Sequence, residues 1–444
     1  MSGLAGRHIV SISDLSNGEI EGIFRLTDRF LSALQEGPLS IVRRRTRKRK
    51  TQRDGLASVG RLCANQVLAT VFFEPSTRTR LSFESAMNRL GGRVISMADP
   101  RTSSAAKGER LSDTIRMVAS YADIVVLRHP NEGAALLATE SLDEQRVAEL
   151  GRRVPIVNGG DGGHEHPTQT LCDLYTIKKE NGQIEGLNVA LCGDLLHART
   201  VHSLAFGLAR FGASLKCISP PSLRLPEYVK RRLKDDHDCI PEEYESFGDL
   251  VAPNQGHVPR AAARTRRRAT KRLMEDADFL EAMGRFLDAV YVTRIQAERF
   301  SDPAEAEAVR GSYVIDPDVM RRIGKRTTIL HPLPRVNEVD SAVDLDTRAA
   351  YFRQAAYGVP VRMALIALLL GRKRLRRTDD GGRAAEQARA GEWITSVACR
   401  NNTCITNTER GMRARLTQVG DTGLLRCAYC DQEQEAQGAR GGTK

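Results

Sequence analysis

Residues 66–92 read "QVLATVFFEPSTRTRLSFESAMNRLGG", and the periodicity changes in the middle of the stretch. Gln66–Phe73 is a short apolar run of the length of a buried strand. The chain turns at Pro75, passes four residues of hydroxyl and guanidinium character, and then places Phe83, Ala86, Met87 and Leu90 at i, i+3, i+4 and i+7. That is one face of a helix, and Gly91-Gly92 ends it. The stretch is therefore strand, turn, helix.

The same unit recurs. Apolar runs at 123–127 ("DIVVL"), 154–157 ("VPIV"), 187–193 ("LNVALCG"), 215–219 ("LKCIS"), 289–293 ("AVYVT") and 327–330 ("TTIL") alternate with helical patterns. One of these patterns follows "HART" with Leu204, Gly207, Leu208 and Phe211. Runs of this length between helices predict an α/β fold with parallel sheets. The length, 444 residues, and a long helix around 168–181 predict two doubly wound domains. The segments that follow the strands are "EPSTRTR", "RHP", "NGGDGGHEHPTQ", "GDLLHART", "RIQ" and "HPLPR". Ligands of open parallel sheets bind beyond the carboxyl ends of the strands. Arginine, histidine and hydroxyl groups at six such ends predict an anionic, phosphorylated substrate.

Composition narrows the class. Hydrophobic residues make up 41%, and no apolar run reaches the length of a membrane span. The opening "MSGLAGRHIV" lacks a secretory apolar core, and nine cysteines fit reduced thiols, so the expected compartment is the cytoplasm. The net charge of +12 is concentrated in two blocks, "RRRTRKRKTQR" (43–53) and "RAAARTRRRATKR" (260–272). Without their fifteen charges the remainder is slightly acidic. The blocks read as solvated insertions or as polyanion-binding arms, and basic balance alone does not make the chain a nucleic-acid binder.

Two local signals carry chemistry. At Ser76–Thr79 a helix start offers backbone N–H groups, three hydroxyls and Arg78, which suits an anion. Read in isolation, the same residues are also an ordinary Ser/Thr helix cap with solvated arginines. In the tail, Cys399-x4-Cys404 and Cys427-x2-Cys430 are separated by 22 residues, the spacing of a structural four-cysteine zinc site. By contrast, the His164-x-His166 pair in a glycine-rich loop is weak evidence for a metal, and His129 and His331 read as structural.

Seven ordered stretches complete the picture: "FFEPSTRTRLSFESAMNRLGG", "KGERLSDTIRM", "RHPNEGAA", "HPTQTLCDLYTI", "GDLLHARTVHSLA", "YVTRIQAERF" and "ILHPLPRVNE". Over most of 7–371 the chain resembles the catalytic chain of aspartate carbamoyltransferase, and the "TRIQ" and "HPLP" motifs favour that enzyme over the ornithine one. The resemblance implies the reaction of carbamoyl phosphate with L-aspartate to give N-carbamoyl-L-aspartate and phosphate, a step of pyrimidine (UMP) biosynthesis, without a catalytic cofactor. It implies that Ser76, Thr77, Arg78 and Thr79 bind phosphate, and that Thr79, Arg128 and His166 polarise the carbamoyl carbonyl. Gln169 and the carbonyls of Leu333 and Pro334 would receive the carbamoyl NH2, while Arg199, Arg294 and Gln296 would bind aspartate. Ser103 and Lys107 fall where the family reaches into a neighbouring subunit's site, which implies a homotrimer with shared sites.

The tail resembles the zinc domain of the family's separate regulatory chain, and reads as a protein-docking module rather than a nucleic-acid finger. The expected organisation is a carbamoyl-phosphate domain at 1–172 with a basic insertion at about 43–65, and an aspartate domain at 173–340 with one at about 253–275. A C-terminal helix at 341–371 returns to the first domain, a linker follows at 372–392, and the zinc ribbon occupies 393–435. The linker leaves no room for the regulatory family's effector domain. Two rival functions remain: a carbamoyltransferase for another amino acid, and an assembly or nucleic-acid-binding protein that has kept the fold.

Overall fold

The computed structural model describes residues 3–35, 59–97, 107–246, 287–296, 300, 313–375, 393–420 and 422–436. Both basic blocks, Ser103 and the linker from 376 to 392 lie outside the described residues. The chain divides into two compact units. One holds Met1–Cys172 with Ala356–Lys444, the other Asp173–Ala355.

The first unit begins with helix α1 (Asn17–Gln35). Strand β1 (Val67–Phe72) follows and leads to α2 (Thr77–Arg89), β2 (Arg93–Met97), α3 (Leu111–Tyr121) and β3 (Ile124–His129). The chain continues through α4 (Ala134–Glu140), α5 (Glu144–Leu150), β4 (Ile156–Asp161) and α6 (Pro167–Asn181), where the unit boundary falls. The four strands pair in parallel in the order β2-β1-β3-β4. The opening stretch folds as its periodicity requires: Phe83, Ala86, Met87 and Leu90 are all fully buried. Gly91 ends α2 with φ 82°, and a Cβ there would sit 2.0 Å from the carbonyl oxygen of Gly60. Only glycine satisfies both demands. The edge strand β2 exposes three of its five residues, and its Val94, Ile95 and Met97, broken by Ser96, are not among the apolar runs read from the sequence.

The second unit carries β5 (Asn188–Cys192), α7 (Arg199–Arg210), β6 (Ser214–Ile218), α8 (Glu227–His237), β7 (Glu242–Tyr244), β8 (Ala289–Val292), α9 (Pro317–Arg322) and β9 (Thr328–Leu330). These strands are also parallel, in the order β7-β6-β5-β8-β9. Its core packs Ala190, Val290 and Ile329 of the central strands with Met320, Val343 and Tyr351. Helix α10 (Tyr351–Leu369) then carries the chain back into the first unit's residues. There Arg362 donates to Cys172 Sγ at 3.2 Å and lies over the Phe83 ring. No helix among the described residues is long and apolar enough to cross a membrane.

The tail forms a short helix α11 (Ile405–Thr408) and an antiparallel ribbon of β10 (Leu416–Gln418), β11 (Leu424–Cys427) and β12 (Glu433–Glu435). Its apolar residues do not make a separate core. Ile405, Leu416, Leu425 and Tyr429 join one cluster with Leu111, Ile115, Val125, Leu127 and Ala134–Ala138 of α3, β3 and α4. A ribbon this small buries too little surface alone, and it gains that burial against its own chain.

Candidate active site

In the first unit the chain leaves β1 for β2 on one side, and β3 and β4 lie on the other. The carboxyl ends of β1 and β3 are therefore the topological switch point, where connections diverge and leave a crevice. Phe72 pairs with Arg128 across that point, and the Phe73 N–H donates to the Arg128 carbonyl at 2.8 Å. Ser76 occupies the cap position of α2 in an extended conformation, yet its side chain makes no capping hydrogen bond. Ser76 thus caps α2 through its backbone carbonyl, which accepts from Arg80 N at 3.2 Å, and not through its hydroxyl. Thr77 and Arg78 are exposed, Ser76 is half-buried and Thr79 is buried. Desolvation holds the pKa of Arg78 below its ordinary value.

Thr79 Oγ1 lies 3.4 Å from His166 Nε2. His166 is buried just before α6, and its carbonyl accepts from the N–H groups of Gln169 and Thr170. Arg128 is buried, donates to the Gly159 carbonyl at 3.1 Å and pairs with Glu74 at 2.9 Å. Glu74 was not singled out from the sequence. Its place inside "FFEPSTRTR" was the available signal. The loop that carries His166 is pinned by another unrecognised residue, the buried Asp161. Asp161 accepts from Gly133 N at 2.9 Å, Asn158 Nδ2 at 2.9 Å and Glu165 N at 3.1 Å. His129 and His331 each accept a backbone N–H at Nδ1, from Asn131 and Leu333 respectively. Lys107 is exposed ahead of α3.

The second unit repeats the device at β5 and β8, its own switch point. Gly193 follows β5 with φ 112°, and a Cβ would come within 2.4 Å of the Thr293 carbonyl, so the two strand ends close together only over glycine. The fully buried Asp194 accepts from the N–H groups of His197 (2.9 Å) and Gln296 (3.2 Å). It thereby fixes the backbone of both loops, from which half-buried Arg199, Arg294 and Gln296 arise. After β9, Leu333 takes φ 55° and the Leu333–Pro334 peptide is cis. His331 Nε2 lies 2.8 Å from Glu338 Oε1, and Arg335 pairs with Asp344 against the Tyr351 ring.

The sulfurs of Cys399, Cys404, Cys427 and Cys430 are buried and lie within 4.8 Å of one another. Cys399 and Cys430 are 3.6 Å apart, Cys404 and Cys427 3.9 Å. Four thiolates about 2.3 Å from one tetrahedral ion stand about 3.8 Å apart, so the cluster fits a metal of that geometry. Thr406 Oγ1 donates to Cys404 Sγ at 3.2 Å, an outer contact that steadies one ligand.

Arginine- and hydroxyl-bearing loops at the switch points of two parallel sheets suit an anionic substrate, and the family models matched by the chain are those of carbamoyltransferases. "Aspartate/ornithine carbamoyltransferase, carbamoyl-P binding domain" matches 7–179, and the corresponding "Asp/Orn binding domain" matches 185–369. The chain belongs to the aspartate carbamoyltransferase family: it is 42% identical over 368 residues to the catalytic subunit of Thermoplasma acidophilum, covering 83% of this chain and 99% of that one. The catalytic subunit of Clostridium kluyveri is 40% identical with the same coverage. Among solved structures, the M. jannaschii catalytic subunit superposes with a TM-score of 0.63 at 42% identity, over 82% of this chain and 98% of that one. The Trypanosoma cruzi enzyme in complex with carbamoyl aspartate and phosphate gives 0.65 at 32% identity, over 83% and 97%. Residues 394–439 match "Aspartate carbamoyltransferase regulatory chain, metal binding domain". The chain thus joins a carbamoyltransferase to a metal-binding module named for a different subunit.

Proposed function

We propose that this chain transfers the carbamoyl group of carbamoyl phosphate to the amine of L-aspartate, giving N-carbamoyl-L-aspartate and phosphate. The observation that carries the reading is the contact of Thr79 with His166 at the switch point from which Arg128 also arises. In the reaction, the aspartate nitrogen attacks the carbamoyl carbon and the carbonyl oxygen becomes an oxyanion. The C–O bond to phosphate then breaks, and the departing phosphate takes the amine proton. Thr79, Arg128 and His166 stabilise the oxyanion, a contribution worth roughly 10²–10³ in rate for a single donor. The first turn of α2, with Ser76, Thr77, Arg78 and Thr79, holds the phosphate. Gln169 and the Leu333 and Pro334 carbonyls orient the carbamoyl NH2. Arg199, Arg294 and Gln296 recognise the two carboxylates of aspartate, which need cationic forks. Ser103 and Lys107 serve a neighbouring subunit's site, so the working form is a homotrimer in the cytoplasm, supplying pyrimidine biosynthesis.

The metal of the tail is a structural zinc. It would cross-link the ribbon through Cys399, Cys404, Cys427 and Cys430, and four protein ligands leave no position for water or substrate. Catalysis itself is assigned to orientation and fixed charge, with no side-chain base.

The test is a colorimetric carbamoyl-transfer assay with carbamoyl phosphate and a panel of amino-acid acceptors. Product with aspartate alone is expected. Preference for ornithine or another amine overturns the acceptor assignment, and no transfer to any acceptor overturns the enzyme reading in favour of an assembly protein.

A further inference from the structure

The metal module grips two loops, the one that follows Arg128 at the end of β3 and the one that carries His166. The first loop follows β3. Glu132 N donates to the Thr403 carbonyl at 3.0 Å, and Ile405 N donates back to the Glu132 carbonyl at 2.8 Å, a parallel bridge on either side of Cys404. The buried Glu132 carboxylate accepts from Asn401 of the module through Oε2, and from Gly163 N of the second loop at 3.2 Å through Oε1. One side chain therefore joins the module to both loops.

His164 makes a second link. Its Nε2 lies 3.1 Å from Asp431 Oδ2, in the residue after Cys430, and its Nδ1 lies 3.3 Å from Asp161 Oδ2. Asp161 in turn holds Gly133 N and Glu165 N, and Glu165 is the peptide neighbour of His166. The fit is tight on both sides. A Cβ at Gly133 would lie 2.7 Å from the Tyr429 carbonyl oxygen, and one at Gly162 would lie 2.7 Å from the Pro130 carbonyl oxygen. Packing without slack lets a displacement at one end be felt at the other.

We propose that Glu132 and His164 are positioning residues of the transferase site, coupling the four-cysteine module to the loops of Arg128 and His166. The inference rests on the roles assigned above to those two residues. Coupling between two sites is reciprocal. A module that orders the loops favours carbamoyl phosphate binding, and bound carbamoyl phosphate holds the module, with its metal, in place.

The experiment uses the full chain loaded with zinc. The extent of zinc release to a chromophoric chelator is measured at equilibrium with and without saturating carbamoyl phosphate, whose binding is measured separately by calorimetry. A zinc affinity raised roughly 5-fold or more by the ligand is expected, the size of an ordinary coupling. His164→Ala and Asp431→Ala should still bind zinc and carbamoyl phosphate but lose the ligand's effect on release. They should also raise KM for carbamoyl phosphate more than they lower kcat. Faster amide exchange at Gly133, Gly163 and Glu165, with α6 unchanged, should accompany this. Ligand that binds without altering zinc release overturns the coupling, as does an undiminished effect in both variants. Failure of wild-type chain to bind carbamoyl phosphate would instead overturn the functional reading beneath it.

Discussion

Thr79 of one strand–helix turn and His166 of another meet at 3.4 Å, though 87 residues separate them. The contact places a hydroxyl and an imidazole at the same end of the first unit's sheet, beyond its carboxyl edges. It also requires α2 to start where it does, since a helix begun a residue later would rotate Thr79 away by roughly 100°.

Arg78, exposed in the first turn of α2, makes no contribution to the core. Arg78→Ala is therefore expected to fold normally and to lose roughly two to three orders of magnitude in kcat/KM, as a charged donor to the transition state is removed. Steady-state kinetics beside a thermal melt checks both halves. Near-normal turnover would remove the phosphate-site assignment.

Mixing two inactive chains tests the shared site. Under the proposed homotrimer with shared sites, Lys107→Ala and Arg78→Ala chains should each be inactive alone, while hybrids reassembled from both would contain a site with both native residues. Partial recovery of activity is expected. Hybrids shown to form by mass that remain inactive would confine each site to a single subunit.

From the sequence the tail reads as a zinc ribbon at 393–435. In the structure its core is continuous with that of α3, β3 and α4. Truncation after Gly371 is therefore expected to uncover Ala134, Leu137 and neighbouring residues, to lower the melting temperature and to promote association. Cys427→Ser, which removes a metal ligand, should lower the melting temperature in the same direction. Elemental analysis should find one zinc per intact chain. An unchanged melt after truncation would show that the shared cluster adds nothing.

Acid stability should fall in a defined window. Burial, with Arg153 nearby, pushes the His8 imidazole down to about 4, and burial pushes His129 down to about 4 as well, against 6.5 for a free ring. Between these values the unfolded chain binds more protons than the folded one. This contribution to stability is thus fully present above 6.5 and is lost as pH falls toward 4, on the order of 1–3 kcal/mol for each ring. Both rings accept a backbone N–H at Nδ1, from Ile156 and Asn131, which protonation would forbid. His8→Gln, with an acceptor that does not titrate, should flatten the decline in denaturant titrations between pH 6.5 and 4. An equally steep decline in the variant would assign it to other groups.

Alternation of apolar runs with helical periods determined the α/β class from sequence alone, because burial on two faces of a parallel sheet writes itself into consecutive residues. The residues of "STRTR", "HPTQ" and "TRIQ", and the four cysteines, were legible for a similar reason: their chemistry lies in side-chain type and short spacing. What the tertiary structure decided is pairing across distance. Strands β2 and β7 are short, largely exposed edge strands and take their register from neighbours. Asp161 and Asp194 look like ordinary loop carboxylates until folding buries them under converging N–H groups from other loops. The seat of the metal module was invisible for the same physical reason. Gly133 and Tyr429 are nearly three hundred residues apart in a chain whose local periods carry no record of one another, and the close approach of their backbones, together with a φ of 82°, makes the glycine necessary.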